Sequence, residues 1–398
     1  DWGLRPGRCV TVTQSGFMAP PTAILAALLA ASMLPATFAQ APGDDFHVYG
    51  DHPRLFLQAR RLRLLQRERE RQSLRWRQLD SLIAGKAAMP EPGLAAALYA
   101  RVSGESARCR GAIGWALTPG ADLRQSALVF DWCQPELSSQ ESQTLAAALE
   151  RGIAAARNTP GLSAIRDRVL AAIALGGHRD DLAARELRSI VQDWWRGQIV
   201  PALQAAGDPI GAGDLLALME ILHAVNDTLD LDLRDPVKPW FHDLPLVRLF
   251  HYYPAPLQAA ENDYYIPAGE AAGEPDLRRA ALARAADLAL VAFDANTQPA
   301  GFLQGWLIRD TLLMRGPLGA PYEFLWTNPY QPGLSFHHAP LFYHDRRLGR
   351  LFIRSTWDDD ATWLEYRDGK FRQFSGGAPR EVAPPAAMMA SQQAMASS

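Results

Sequence analysis

Residues 341–366 read Leu341-Phe342-Tyr343-His344-Asp345-Arg346-Arg347-Leu348-Gly349-Arg350-Leu351-Phe352-Ile353-Arg354-Ser355-Thr356-Trp357-Asp358-Asp359-Asp360-Ala361-Thr362-Trp363-Leu364-Glu365-Tyr366, and here the periodicity of the chain changes. Residues 341–344, 351–354 and 362–366 are short, apolar and rich in aromatic or branched side chains, which is the pattern of strands. The connection around Asp345–Gly349 and the Asp368-Gly369 turn make a meander, closed by Lys370–Phe374. Three or four strands bury too little for a sandwich core. They are expected either to pack onto a helical body or to begin a larger β domain that this chain does not contain.

Upstream the apolar spacing is helical. After the turn at Asp51-His52-Pro53, a stripe of Leu62, Leu65, Trp76, Leu79 and Ile83 marks a helical region with a polar middle turn. Arg60, Arg61, Arg63, Arg67, Arg69, Arg71, Arg75 and Arg77 crowd the same region. A basic helix of this kind either binds an acidic polymer or is a solvated face. The second reading is preferred here, with Glu68, Glu70 and Asp80 offsetting part of the charge. Further helices are expected at about 92–102, 105–117 and 121–132. Ser138 and Glu141 form a capping box that opens a helix through Arg157. Others follow near 163–175, 180–206, 212–228, 240–252, 277–295 and 301–316. Short loops carrying Gly, Pro or Asp join several of them, and such helices pack as antiparallel neighbours. The expected fold is therefore mainly α, followed by a short antiparallel β segment.

The 398 residues are 48% hydrophobic and 21% charged, with a formal net charge of -3, so no global field draws the chain to nucleic acid or to an anionic membrane. Three cysteines exclude a disulfide scaffold and a thiolate-rich metal cluster. Met18–Ala41 has an uncharged run from Thr22 to Leu34 and a small-residue exit at Ala39-Gln40-Ala41, the form of a secretory signal peptide. Residues 1–17 then look like an upstream extension, and the mature chain is expected in the periplasm or outside the cell, without a stable membrane span. Export leaves Cys109 and Cys133. Buried free thiols are the expected state, although an oxidising compartment permits a bridge. Residues 42–335 are assigned to the helical domain and 336–374 to the β segment. From Ser375 onward the sequence has few large apolar residues and reads as a disordered tail.

No dinucleotide or phosphate-binding glycine loop, H-E-x-x-H helix or G-x-S-x-G elbow occurs, so no cofactor is expected. Asp208, Asp214, Asp227 and Asp235 fit no compact oxygen-ligand loop, so no metal is expected either. The chemically active density is aromatic and imidazole-rich. His251, Tyr252, Tyr253, Asn262, Asp263, Tyr264 and Tyr265 fall in one stretch, and Tyr322, Trp326, Asn328, Tyr330, His337 and His338 in another. Tyr and His suit proton transfer, and flat rings suit stacking on sugars.

Three patches carry a resemblance. Asp51-His52-Pro53-Arg54-Leu55-Phe56 is similar to the opening of heparinase II/III-like and alginate-lyase-like proteins. Leu128-Val129-Phe130-Asp131-Trp132-Cys133 with Leu137 resembles their second recurring patch, and Arg354-Ser355-Thr356-Trp357 through Asp360-Ala361 the start of their β domain. In order over about 51–366, these imply an incomplete α/α toroid followed by antiparallel strands, and β-elimination of an acidic polysaccharide. The chain departs from that family where an Asn-His pair or a lone His is usual: Leu162–Arg168 holds no histidine. Gly207–Asp214 stands in place of the glycine-rich patch that carries the family's catalytic tyrosine.

β-Elimination at a uronate needs a group to neutralise the carboxylate, a base for the C5 proton and an acid for the leaving oxygen. Arg166 or Arg309 is the candidate for the carboxylate. Tyr253 or Tyr264 is the candidate for proton transfer, and Asn262, His251 or His337 for orienting the sugar, with Trp326 and Tyr330 as stacking surfaces. Two other readings stand beside the lyase. One is an exported carbohydrate-binding or structural protein that has lost the lyase centre. The other is a toroid-type glycoside hydrolase using two carboxylates, for which Glu261, Asp263 and Glu323 are the candidates.

Overall fold

A computed structural model describes residues 45–205, 207, 209–258, 263–268, 276–310, 316–345, 349–367, 369–375 and 378–383. Residues 1–44, which include the expected upstream extension and signal peptide, lie outside the described residues.

The helices of Phe46–Ser398 alternate between two layers. One set consists of α3 (Pro92–Ser103), α5 (Leu123–Trp132), α7 (Leu162–Ala174), α10 (Leu215–Leu229), α12 (Leu277–Phe293) and α14 (Gly316–Trp326). Each packs on the next, and α14 returns to α3, with α2 (Leu74–Ala84) sharing that seam. These helices are apolar on most sides; in α10 the run Leu215–Val225 is buried throughout, as a helix enclosed by neighbours must be. The second set lies outside them: α4 (Ser106–Ala116), α6 (Ser139–Ala156), α8 (Asp180–Ser189), α11 (Lys238–His251) and α13 (Gln298–Arg309). α6 buries only Leu145, Ala146, Leu149 and Ile153, one stripe at helical spacing. This inner–outer alternation is the α/α toroid pattern.

One segment crosses the C-terminal ends of the inner helices. Arg54 donates from Nη1 to the carbonyls of Ile173 and Gly176 at the end of α7. In α1 (Ala59–Glu70), Arg61 donates to Leu325 and Trp326 at the end of α14, and Arg69 to Val102 and Ser103 at the end of α3. The last carbonyls of a helix have no partner within it and carry the negative end of its dipole, so guanidinium groups are the natural cap. Gly176 must be glycine: a Cβ there would lie 2.6 Å from Val48 Cβ and 2.8 Å from Arg54 Nη1.

β3 (Phe342–Asp345), β4 (Arg350–Arg354), β5 (Trp363–Arg367), β6 (Lys370–Ser375) and β7 (Ala378–Val382) form an antiparallel meander in chain order. Phe352 pairs with Glu365 and Arg354 with Trp363. That face turns to the helices: Phe352, Trp363 and Phe374 are buried, and Trp363 Nε1 donates to Phe250 O at 2.8 Å. The sheet thus packs onto the helical body through the end of α11.

Several boundaries differ from those read in the sequence. Within the expected disordered tail, Ser375 ends β6 and Ala378–Val382 form β7, where Pro379 pairs with Phe374 on an edge strand, a position that tolerates proline. Residues 384–398 lie outside the described residues. The helix expected at 301–316 is α13 alone, and α14 follows it despite Pro317 and Pro321. The run 180–206 comprises α8, a stretch of wide π-type turns at Ile190–Ile199, and α9 (Val200–Gln204). Cys109 and Cys133 are not free thiols but a disulfide. α4 packs on α5 and brings their Cα atoms to 5.6 Å, within the span that a disulfide bridges.

Candidate functional site

At the end opposite the crossing segment, the inner helices turn charged side chains towards one another. Glu91 immediately precedes α3, Arg124 follows the N-cap Asp122 of α5, and Arg166 and Asp167 lie early in α7. Glu220 comes from α10 and Tyr322 from α14. Arg124 is the hub. Its Nε and Nη2 donate to Glu220 at 2.9 and 2.5 Å, and its Nη1 donates to Glu91 at 2.9 Å. Tyr322 donates from its hydroxyl to Glu91 at 2.8 Å, and its ring lies under the Arg124 guanidinium. Arg166 pairs with Asp167 at 2.7 Å and approaches Glu220 at 3.5 Å.

The cluster has a sealed inner layer and a wetter outer one. The side chains of Arg124 and Glu220 are 2% and 0% exposed, whereas those of Glu91, Arg166 and Asp167 are 19%, 16% and 18% exposed. A bidentate guanidinium–carboxylate pair is the form in which such charges survive burial. Burial works against the charge of Arg124, but Glu220, Tyr322 and Glu91 overcome it and hold its pKa well above the usual value. Burial pushes the Tyr322 phenol well up, against Arg124 and reinforced by Glu91 and Glu220, so it is a proton donor and not a base. Burial also raises the Asp167 carboxyl, with Arg166 opposing the shift. The outer layer therefore offers a guanidinium, a carboxylate and a carboxyl group with increased proton affinity.

Of the residues proposed from the sequence, Arg166 lies in this cluster. Trp326 is a core residue, its ring 5.1 Å from Phe56 and 4.7 Å from His223. Tyr253 is buried behind the sheet, against Trp363 and Phe374, and His251 packs edge-on to Phe352. Tyr264 is buried on the two-residue strand β2 (Asp263–Tyr264), which pairs with β1 (Leu257–Gln258). Arg309 and His337 belong to a separate surface group. Arg309 pairs with Asp359 at 2.5 Å, Tyr265 donates to Asp359 at 3.1 Å, and His337 Nδ1 is 3.8 Å from Asp358. Tyr330 is exposed, and its hydroxyl accepts from Arg71. Asn262 and Glu261 lie outside the described residues. Glu323 is buried in a bidentate pair with Arg284, beside a cleft of about 270 Å³ that is separate from the cluster.

No protein-family model and no curated protein matches this chain.

Sequence reading did not single out Glu91, Arg124, Asp167 and Glu220, and it counted Tyr322 only among the later aromatics. One signal was present: Glu220 interrupts Leu215–Val225, an otherwise apolar helix apart from His223. A charge enclosed by apolar turns on both sides requires a buried partner. Among the described residues, no group of three or more His, Cys, Asp or Glu is arranged to hold a metal ion.

Proposed function

We propose that the protein acts on a uronate-containing polysaccharide at the mouth of its helical ring, cleaving it by β-elimination after export to the periplasm or the exterior. The observation that carries this reading is the outer layer formed by Arg166, Glu91 and Asp167, supported from beneath by Arg124 and Tyr322. Arg166 meets the uronate carboxylate, and Glu91 takes the C5 proton. The C5–H electron pair forms the C4–C5 double bond, the C4–O bond breaks, and Asp167 gives its proton to the leaving oxygen. A substrate carboxylate that replaces Asp167 on Arg166 removes a positive charge from Asp167, which strengthens its hold on that proton. Tyr322 acts through Glu91 as a positioning residue.

A second reading has its own support. Three carboxylates, Glu91, Asp167 and Glu220, share two guanidiniums in the cluster. A carboxyl of raised pKa beside an ionisable partner is also what glycoside hydrolysis uses. Product chemistry separates the two. The purified protein should convert at least one of alginate, polygalacturonate, heparan-type or chondroitin-type chains into products with the absorbance of an unsaturated uronate. New reducing ends without that absorbance would replace elimination by hydrolysis. Binding without either product would leave a carbohydrate-binding protein.

A further inference from the structure

We infer that the outward face of α1 is a docking surface for an anionic polysaccharide, separate from the mouth of the ring and independent of any cleavage there. The arginines of this helix fall into two populations. Arg61 and Arg69 turn inward and cap the ends of α14 and α3. Arg60, Arg63, Arg67 and Arg71 are exposed. At 3.6 residues and 5.4 Å per turn, these four occupy about 80° of the circumference and a row about 16 Å long. Among the described residues, none of the four caps an inner helix.

The acids that would neutralise such a row are engaged elsewhere. Glu68 is buried and accepts from Arg75 at 2.8 Å, and Asp80 accepts from the Tyr99 hydroxyl at 2.7 Å. Glu70 is the one exposed carboxylate on α1. Among the described residues, Arg60, Arg63 and Arg67 make no ion pair. Four positive charges thus stand against one negative on a chain whose formal net charge is -3.

The row ends on an aromatic surface. Tyr330 is 46% exposed, with Arg71 5.4 Å above its ring and donating to its hydroxyl. An arginine row ending in a solvent-facing ring suits a linear chain of acidic sugars: guanidinium forks hold carboxylate or sulfate groups, and the ring stacks on a sugar face. Insertion into a bilayer needs an outward apolar face. On α1, Leu65 is buried, Leu62 packs on the core and Leu64 is half-buried, and the exposed Leu74 at the start of α2 does not by itself make such a face.

The test is retention of the full chain on immobilised heparin-type chains and on alginate across a salt gradient. The wild type should be retained and released by salt. R60Q/R63Q/R67Q/R71Q should lose about tenfold or more in affinity. R60Q/R63Q and R67Q/R71Q, each closer to the native surface, should each lose a smaller share, and Y330A should weaken retention at constant charge. R151Q/R185Q/R278Q/R380Q removes as many positive charges from scattered exposed sites and should elute with the wild type. Circular dichroism checks that each variant is folded. Equal loss in the row and scattered variants would overturn the proposal, as would undiminished binding by the row variants. Tighter binding to anionic lipid vesicles or to duplex DNA than to either polysaccharide would overturn the assigned partner.

Discussion

Asp131 accepts a hydrogen bond from His52 across 79 positions of sequence, its Oδ1 lying 2.6 Å from His52 Nδ1. The same carboxylate accepts from the backbone N–H groups of Arg54 and Leu55, while Trp132 Nε1 donates to Leu55 O at 2.8 Å. The sequence patches 51–56 and 128–133 are thus the two halves of one fastening. It holds the crossing segment to the C-terminal end of α5, the end opposite Arg124. Asp131→Ala strands three donors around a buried site and should cost about 3–5 kcal/mol of stability. Urea denaturation checks it; a loss under 1 kcal/mol would refute the fastening role.

Arg124 and Glu220 should behave as a buried pair. Arg124→Met leaves Glu220 enclosed without its main partner and should cost about 3–5 kcal/mol, whereas R124M/E220L should recover much of that loss. A thermodynamic cycle of the two single variants and the double variant measures the coupling. Additive losses would show that the two side chains do not stabilise one another.

Two buried histidines give a pH dependence of known sign. Burial holds His251 well below its ordinary pKa, with Arg350 and Arg248 adding to the effect, and lowers His223 to about 3. Both are neutral in the folded protein, while in the unfolded chain each takes a proton near pH 6.5. Below that value the unfolded state binds more protons, so stability falls as pH falls, by about 1.4 kcal/mol per pH unit for each histidine. Their contribution is fully present above pH 7 and lost on acidification towards the folded values. His251→Gln should remove one such slope from a denaturation series between pH 7 and 5; an unaltered slope would contradict the assignment.

The Cys109–Cys133 bridge closes a loop with a sequence separation of 24. Chain-entropy reasoning gives roughly 3.5 kcal/mol for a loop of that length. Reduction should therefore lower the melting temperature, and C109S/C133S should reproduce the reduced value and lose any response to reductant.

The fold was readable because its signals are local. The Ser138–Glu141 box does open α6, and alternation at 351–354 and 363–366 does mark central strands. α14 escaped because prolines at 317 and 321 argue against a helix, although packing against α2 and α12 holds one there. β7 escaped because its few apolar side chains give no clear period; pairing with β6 defines it. The mouth was the least legible part. Glu91 and Tyr322 are 231 positions apart, and each looks ordinary until the ring brings them together. Sequence clustering instead favoured His251 and Tyr253, whose aromatic neighbours form the buried seam between α11 and the sheet.

The proposed chemistry at the mouth predicts a pattern no purely structural role would give. Asp167 must be protonated to serve the leaving oxygen, and burial raises its pKa, so kcat/KM should fall as pH rises through that raised value. Asp167→Asn should lose about 10²–10⁴-fold in kcat and, with it, this alkaline limb, while Glu91→Gln should lose a similar factor in kcat and keep the limb. Arg166→Gln should act mainly on acidic substrates: its KM should rise for a free uronate chain and change little for the methyl-esterified one, which has no charge for Arg166 to meet. Tyr322→Phe, acting only through Glu91, should cost less than Glu91→Gln and leave the pH limb in place. A D167N enzyme with native turnover, or an R166Q enzyme equally impaired on charged and esterified chains, would remove these residues from the reaction and leave the cluster as a structural core of the ring.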